Sequence, residues 1–271
     1  MLRPLAALTF AAGVTFAPPT WAAPLDDLAA AVGIPEVVAL MRAEGLDYGA
    51  ELGRDMGVEG IGPSWQNTVS EIYDAALMEE AVRAGFDEVM GDADLGPLLA
   101  FFEDGPGARF VDLELSAREA MLDESVEEAA RDGFREMEAA ETPRYQLMRD
   151  FVEANDLIEW NVEGALNASY AFYAGLSAGG AIDVPEDELL AEVWASEPDV
   201  REDTREWVYG FLLMAYGPMS DDDLQAYTDL SQTEAGQRLN RALFRGFDLM
   251  YTDISRALGL ATARAQQSQE L

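Results

Sequence analysis

Apolar positions recur at helical spacing along almost the whole chain. The clearest run is Leu239, Leu243, Phe247, Met250, Tyr251, Ile254 and Leu258, which fall on one face of a helix. Ser231 or Thr233 is placed to cap its start and Gly259 to end it, which predicts a helix over roughly 233–258. From 260 to 271 the period is lost, and that stretch reads as a flexible tail. Further helices are predicted over 35–56, with Pro35 in the first turn, and over 143–155, 156–177 and 186–195. Ala178-Gly179-Gly180-Ala181 is the strongest break in the pattern. The segment 124–141 sets Val126, Ala130, Phe134 and Met137 on one side and acids on the other, as a solvated amphipathic helix does. Runs of β-branched residues are absent, so the expected fold class is all-α.

Sliding the chain against itself by 129 residues aligns Met90-Gly91-Asp92-Ala93-Asp94-Leu95 with Met219-Ser220-Asp221-Asp222-Asp223-Leu224. In that register Gly107 meets Gly236, Arg109 meets Arg238 and Met121 meets Met250. The window 90–121 then holds seven identities in 32 positions. Chance would give about two or three. Each copy reads as three helices, roughly 64–90, 92–103 and 105–121 in the first and 199–216, 220–230 and 233–258 in the second. The expectation is a helical bundle built from two diverged repeats of a helical-hairpin unit. Residues 23–141 would form the first repeat region and 142–259 the second. One unit leaves an apolar face open, so the copies should pack together.

The turn before each third helix supplies the candidate special residues. Asp104 and Thr233 occupy equivalent capping positions, and Ser220 with Asp223 forms a capping box. Gly107 and Gly236 follow three residues after the caps, where a glycine costs up to about 1 kcal/mol relative to alanine. Close approach of the preceding helix, with Phe101 or Tyr227 nearby, is the favoured compensation. Backbone amides exposed to an anionic ligand are the sharper alternative. Arg109 and Arg238 sit near helix N-termini, where the macrodipole disfavours a cation, so each should have a partner. A salt bridge to a neighbouring helix is favoured over joint capture of a carboxylate or phosphate by this candidate polar pair.

These turns carry a resemblance. Phe101-Phe102-Glu103-Asp104-Gly105-Pro106-Gly107 resembles the aromatic-aromatic-x-Ser-Pro-x-Gly signature of domain-of-unknown-function family 2059. In the second copy, Thr233 precedes the Gly236-Gln237 pair typical of that signature. Asp104 stands where the family has serine, and the second copy lacks the proline and both aromatics. The resemblance implies an all-helical protein exported by bacteria. It implies no activity.

Composition narrows the chemistry. The chain has no histidine, cysteine or lysine, and its 17 basic residues, all arginine, face 52 acidic ones. That removes Ser-His and Cys-His dyads, Schiff-base lysines, the P-loop lysine, and nearly all zinc and haem ligation. A formal charge of -35 repels nucleic acid and anionic lipid, so neither nucleic-acid binding nor direct binding to an anionic membrane is expected. No cofactor is implied. With 49% apolar residues the chain can bury a substantial core, and without cysteine that core alone must hold it.

Residues 1–22 read as a signal peptide. Arg3 is the basic n-region, Leu5 to Phe16 an uncharged apolar run, and Thr20-Trp21-Ala22 a small-residue site with cleavage after Ala22. The apolar run is too short to span a bilayer, so a soluble periplasmic location is expected.

The acids admit two further readings. Asp92/Asp94, Asp221 to Asp223, and Asp183 with Glu186, Asp187 and Glu188 offer oxygen ligands for calcium, without EF-hand spacing. Helix capping explains them more simply, and no metal-site residue is assigned. Carboxylate pairs with Trp65, Trp160, Trp194 or Trp207 would suit sugar hydrolysis, yet so many acids guarantee pairs at any distance, and no catalytic residue stands out. The favoured reading is a non-catalytic periplasmic helical binding or interaction protein, its partner an envelope protein or a small ligand. A carboxylate-based hydrolase on wall or sugar substrates, or a low-affinity divalent-cation binder, is the alternative.

Overall fold

A computed structural model describes residues 22–57 and 63–269. Residues 1–22, expected to be a signal peptide, therefore lie outside the described residues, except for Ala22, the first residue of α1 (Ala22–Ala31). Every regular element among the described residues is an α-helix. After α1 come α2 (Ile34–Asp55), α3 (Pro63–Ile72), α4 (Ala75–Met90), α5 (Gly96–Phe102), α6 (Gly107–Ala120) and α7 (Glu124–Ala140). Then follow α8 (Pro143–Ala154), α9 (Leu157–Ala178), α10 (Glu186–Ala195), α11 (Glu197–Tyr216), α12 (Asp221–Ser231) and α13 (Glu234–Gln269).

The expected helix over 64–90 is divided between α3 and α4. Asp74 is the cause: its carboxylate accepts from the Ala76 and Leu77 amides, at 3.0 and 3.1 Å, and starts a new helix. The expectation that Gly259 ends the last helix is also overturned. α13 runs on through Gly259 to Gln269, and Thr262 and Ala263 in the supposed flexible tail are fully buried.

α13 is the axis of the fold, lying along both α4 and α9. Glycines permit both crossings. A Cβ on Gly85 would fall 2.7 Å from the Gly246 Cα, and one on Gly259 would overlap the Phe172 carbonyl oxygen. Missing side chains let the backbones touch, where ordinary helix pairs stand about 8–10 Å apart. Gly45, Gly49 and Gly53 do the same on α2. Spaced by four, they line one face and take Tyr73, Val69 and Trp65. The Trp65 indole N–H donates to the Gly49 carbonyl at 2.8 Å, so the buried polar atom is satisfied.

One core joins α1 to α5 with α13 through Leu28, Val38, Val82, Phe86, Met250 and Leu258. A second joins α6, α7, α8, α11 and α12 through Phe110, Phe134, Met148, Leu212 and Leu224. The division expected between residues 141 and 142 is not where the cores divide. α13 closes the core of the early helices, while α6 and α7 lie along α11. Phe101 and Tyr227 touch both cores, their rings 5.2 Å apart.

The two turns before α6 and α13 differ at their caps. Thr233 Oγ1 accepts from the Gly236 amide at 3.0 Å. Asp104 does not cap: α6 begins at Gly107 with Pro106 in the cap position and no side-chain cap bond. Gly105 and Pro106 carry the chain two residues further before the helix starts. Thr233→Ala should therefore cost about 1 kcal/mol in urea denaturation. Asp104→Ala should stay within about 0.5 kcal/mol of the parent. Equal losses would mean that Asp104 caps in solution.

Candidate functional site

The residues singled out by the repeat do not converge on one site. Gly107 and Gly236 are packing positions. A Cβ on Gly107 would meet Phe101 and the Phe102 Cα at 2.7–2.8 Å, and one on Gly236 would meet Leu230 and the Ser231 Cα, at 2.9 Å from the latter. Arg238 reaches back to the end of α4, where Nε donates to the Val89 carbonyl at 2.8 Å and Nη2 to Asp92 Oδ1 at 3.0 Å. That hydrogen bond holds the Asp92 carboxyl below its usual range. Arg109 is exposed and makes none of these contacts. The candidate arginine pair is thus not an anion clamp: the two side chains share no partner.

The acidic clusters are occupied as well. Asp221 pairs with Arg144 at 2.5 Å. The Ser220 hydroxyl accepts from the Asp223 amide at 3.1 Å, the first bond of the expected capping box, and donates to Asp223 Oδ2 at 2.6 Å in a side-chain bond of its own. Glu186 accepts from the Tyr170 hydroxyl at 2.7 Å. Among the described residues no group of three or more acids is arranged to hold a metal ion. Trp160 stacks on Phe244 and Trp207 on Phe211, Trp65 is buried, and Trp194 is 64% exposed.

One carboxyl is unusual. Glu114 on α6 accepts a 2.5 Å hydrogen bond from the Tyr216 hydroxyl, within the aromatic group of Phe110, Tyr216 and Tyr227. Burial pushes its pKa up to about 7, against the pull of the tyrosine hydrogen bond, which stabilises the anion. No second carboxylate faces it in this cluster. It is a half-buried proton carrier without the partner that acid–base hydrolysis requires.

A cleft of about 450 Å3 opens elsewhere, between α2, α9 and α13. Helical periodicity builds it. Met41, Glu44, Gly45 and Tyr48 form one face of α2; Tyr251, Ile254, Ser255 and Leu258 form the same face of α13. α9 contributes Ser169, Phe172 and Tyr173. Tyr73, just past the end of α3, reaches the cleft because Gly45 leaves space for its ring. Tyr48 and Tyr173 form the open rim, 52% and 40% exposed.

Electrostatics organise this wall. Arg118 arrives from α6 and clamps Glu44 in both directions, Nε to Oε1 at 2.8 Å and Nη2 to Oε2 at 2.6 Å. The Tyr251 hydroxyl lies close enough to feel the Arg118 charge, although burial dominates and raises the Tyr251 pKa. Burial raises the Tyr73 pKa, with help from Tyr48 and Tyr251 nearby. The Tyr48 pKa is raised first by burial and then by Glu51, Tyr173 and Asp55. Tyr48 and Tyr73 therefore stay protonated at neutral pH. Chemically the cleft offers ring faces, hydroxyls, and one carboxylate whose charge is matched by an arginine. It holds no nucleophile–base pair.

Neither Glu44 nor any of the cleft tyrosines was a candidate site residue in the sequence; Tyr251 entered only as part of the apolar stripe of the last helix. The available signal was a polar interruption on an apolar face, as in Met41-x-x-Glu44-Gly45-x-x-Tyr48. No helix among the described residues is long and apolar enough to cross a membrane. No family model, curated protein or solved structure matches the chain.

Proposed function

We propose that the chain is a non-catalytic binding protein of the bacterial periplasm, exported by its N-terminal segment, with its ligand site in the tyrosine-lined cleft. The observation that carries this reading is the cleft itself: a preformed concavity of about 450 Å3 with a few convergent polar groups on an apolar wall. The hydrolase alternative needs two acids across a cleft. Here Glu44 is the one acid in the lining, and both its oxygens are engaged by Arg118. The calcium alternative needs clustered acids; Asp92 and Asp221 are paired with arginines, Asp94 accepts from the Gly96 amide at the start of α5, and among the described residues no three acids are grouped to hold a metal ion.

The helices also support an origin in two diverged copies related by the 129-residue offset, the relation behind the resemblance to family 2059. α13 lies along α4, and α6, its counterpart, lies along α11, the counterpart of α4. Gly107 rests on residues 101 and 102, and Gly236 on 230 and 231, the same positions under that offset.

The test is retention. The protein, incubated with a periplasmic small-molecule extract and rebuffered, should carry a bound compound visible by native mass spectrometry. Tyr48→Ala should lose it while remaining folded, because Tyr48 is a rim residue. Retention unchanged in the variant, or capture of an envelope protein with no small molecule, would remove the cleft from the function.

A further inference from the structure

We infer that the cleft between α2, α9 and α13 takes an organic cation, an alkylated or quaternary ammonium group, held against the tyrosine faces. The inference rests on the cleft being a ligand site and adds the chemical class of the ligand.

The argument begins with the rings. Four tyrosines, Tyr48, Tyr73, Tyr173 and Tyr251, line this one cavity together with Phe172. An aromatic face carries negative charge density and attracts a cation, most strongly where water is excluded. Tyr48 and Tyr173 are open to solvent on the rim, while Tyr73 lies at the floor of the cleft against Gly45. Tyr48, Tyr73 and Tyr251 stack on no other aromatic ring among the described residues, and the one ring contact of Tyr173 is edge-on to Phe172 at 5.9 Å. No guanidinium covers them either. The second core differs, since Arg205 lies over Phe134 and Tyr209, at 5.0 and 5.5 Å from their centroids, and uses those faces internally.

Charge points the same way. No arginine lines the cleft. Arg118, the cation behind the wall, is spent on Glu44, whose carboxylate oxygens keep further lone pairs for an N–H donor. Glu51 and Asp55 add negative potential at Tyr48 on the rim. The whole chain, at a formal -35, concentrates cations and repels anions near its surface. An anionic ligand would meet that field with no free cation to receive it. A neutral ligand would gain only from apolar contact. A cation gains from the rings, the rim acids and the global field together.

The experiment compares choline with 3,3-dimethylbutan-1-ol, a neutral molecule of the same shape, by isothermal titration calorimetry. A constant ionic strength near 0.15 M screens diffuse attraction. Choline should bind saturably, one per chain, and at least tenfold more tightly than the alcohol. Tyr48→Leu and Tyr173→Leu should each weaken choline at least fivefold, whereas Tyr48→Phe, which keeps the ring and loses the hydroxyl, should stay within about twofold. Both positions are on the exposed rim, so folding is checked directly by circular dichroism. Equal affinity for the two probes, reduced in the leucine variants, would overturn the cationic class while leaving the cleft as a site for neutral ligands. Choline heats that never saturate, or that are unchanged in the leucine variants, would mean counter-ion attraction only and would overturn the inference. No heat from either probe would overturn it too. Retention of a periplasmic compound lost in Tyr48→Ala would then still support the cleft as the ligand site.

Discussion

At pH 8 the Glu114→Gln variant should melt several degrees above the parent chain, and at pH 4 that advantage should have vanished. The reason is the proton on Glu114. Its pKa is 4.5 in the unfolded chain and about 7 in the folded one, where burial penalises the anion. Between those values the folded state holds a proton that the unfolded state has released. The stability tied to that proton is fully present below pH 4.5 and is lost as pH rises through 7. The 2.5-unit gap corresponds to roughly 3 kcal/mol at alkaline pH. Glutamine remains neutral and still accepts the Tyr216 hydroxyl, so it escapes the loss. The many surface carboxylates titrate in both chains and cancel in the difference. Melting curves of the two proteins that run parallel from pH 4 to pH 8 would mean that Glu114 is ionised without cost, and the buried-proton description would be wrong.

Gly259→Ala should be among the most damaging single-methyl additions, lowering stability by about 1–3 kcal/mol. Its Cβ would overlap the Phe172 carbonyl oxygen and lie 3.0 Å from the Leu176 amide. Those atoms belong to the backbone of α9 and cannot rotate away, so α9 and α13 must separate along their shared length. The control lies in the same pair of helices. Gly164 is also a helix-interior glycine, but no atom lies within 4 Å of where its Cβ would go. Gly164→Ala should stabilise by about 0.5–1 kcal/mol, because alanine loses less backbone freedom on folding. Guanidinium denaturation of the two variants gives opposite signs if the crossing is as tight as described. Matching signs would show that the helices part easily at Gly259.

The all-helical character and most helix positions were legible because they depend on local periodicity. The stripe from Leu239 to Leu258 lies on α13 as expected, and the break at Gly179-Gly180 ends α9, with Gly180 at a positive φ of 79°. The continuation past Gly259 was not legible. Thr262 and Ala263 are small, so they leave no apolar stripe; the neighbouring helix fills the space, and Ala263 meets Gly179 there. Asp104 looked equivalent to Thr233, but the Gly105-Pro106 step delays the helix. The cleft was hidden for another reason. Tyr48, Tyr173 and Tyr251 come from three separate helices and Tyr73 from the turn after α3, and no local pattern reports that such distant positions converge.

The placement of α13 has a consequence in time. It closes the core begun by α1 to α5, yet it is made after every one of them. Until its residues arrive, the glycine-bearing face of α4 and the matching face of α9 have nothing to rest against. The early helices can form and collapse during synthesis, but they cannot settle into their final packing. The first core therefore stays pliable while the chain is being made, and it becomes rigid only when the segment that spans both partners is present.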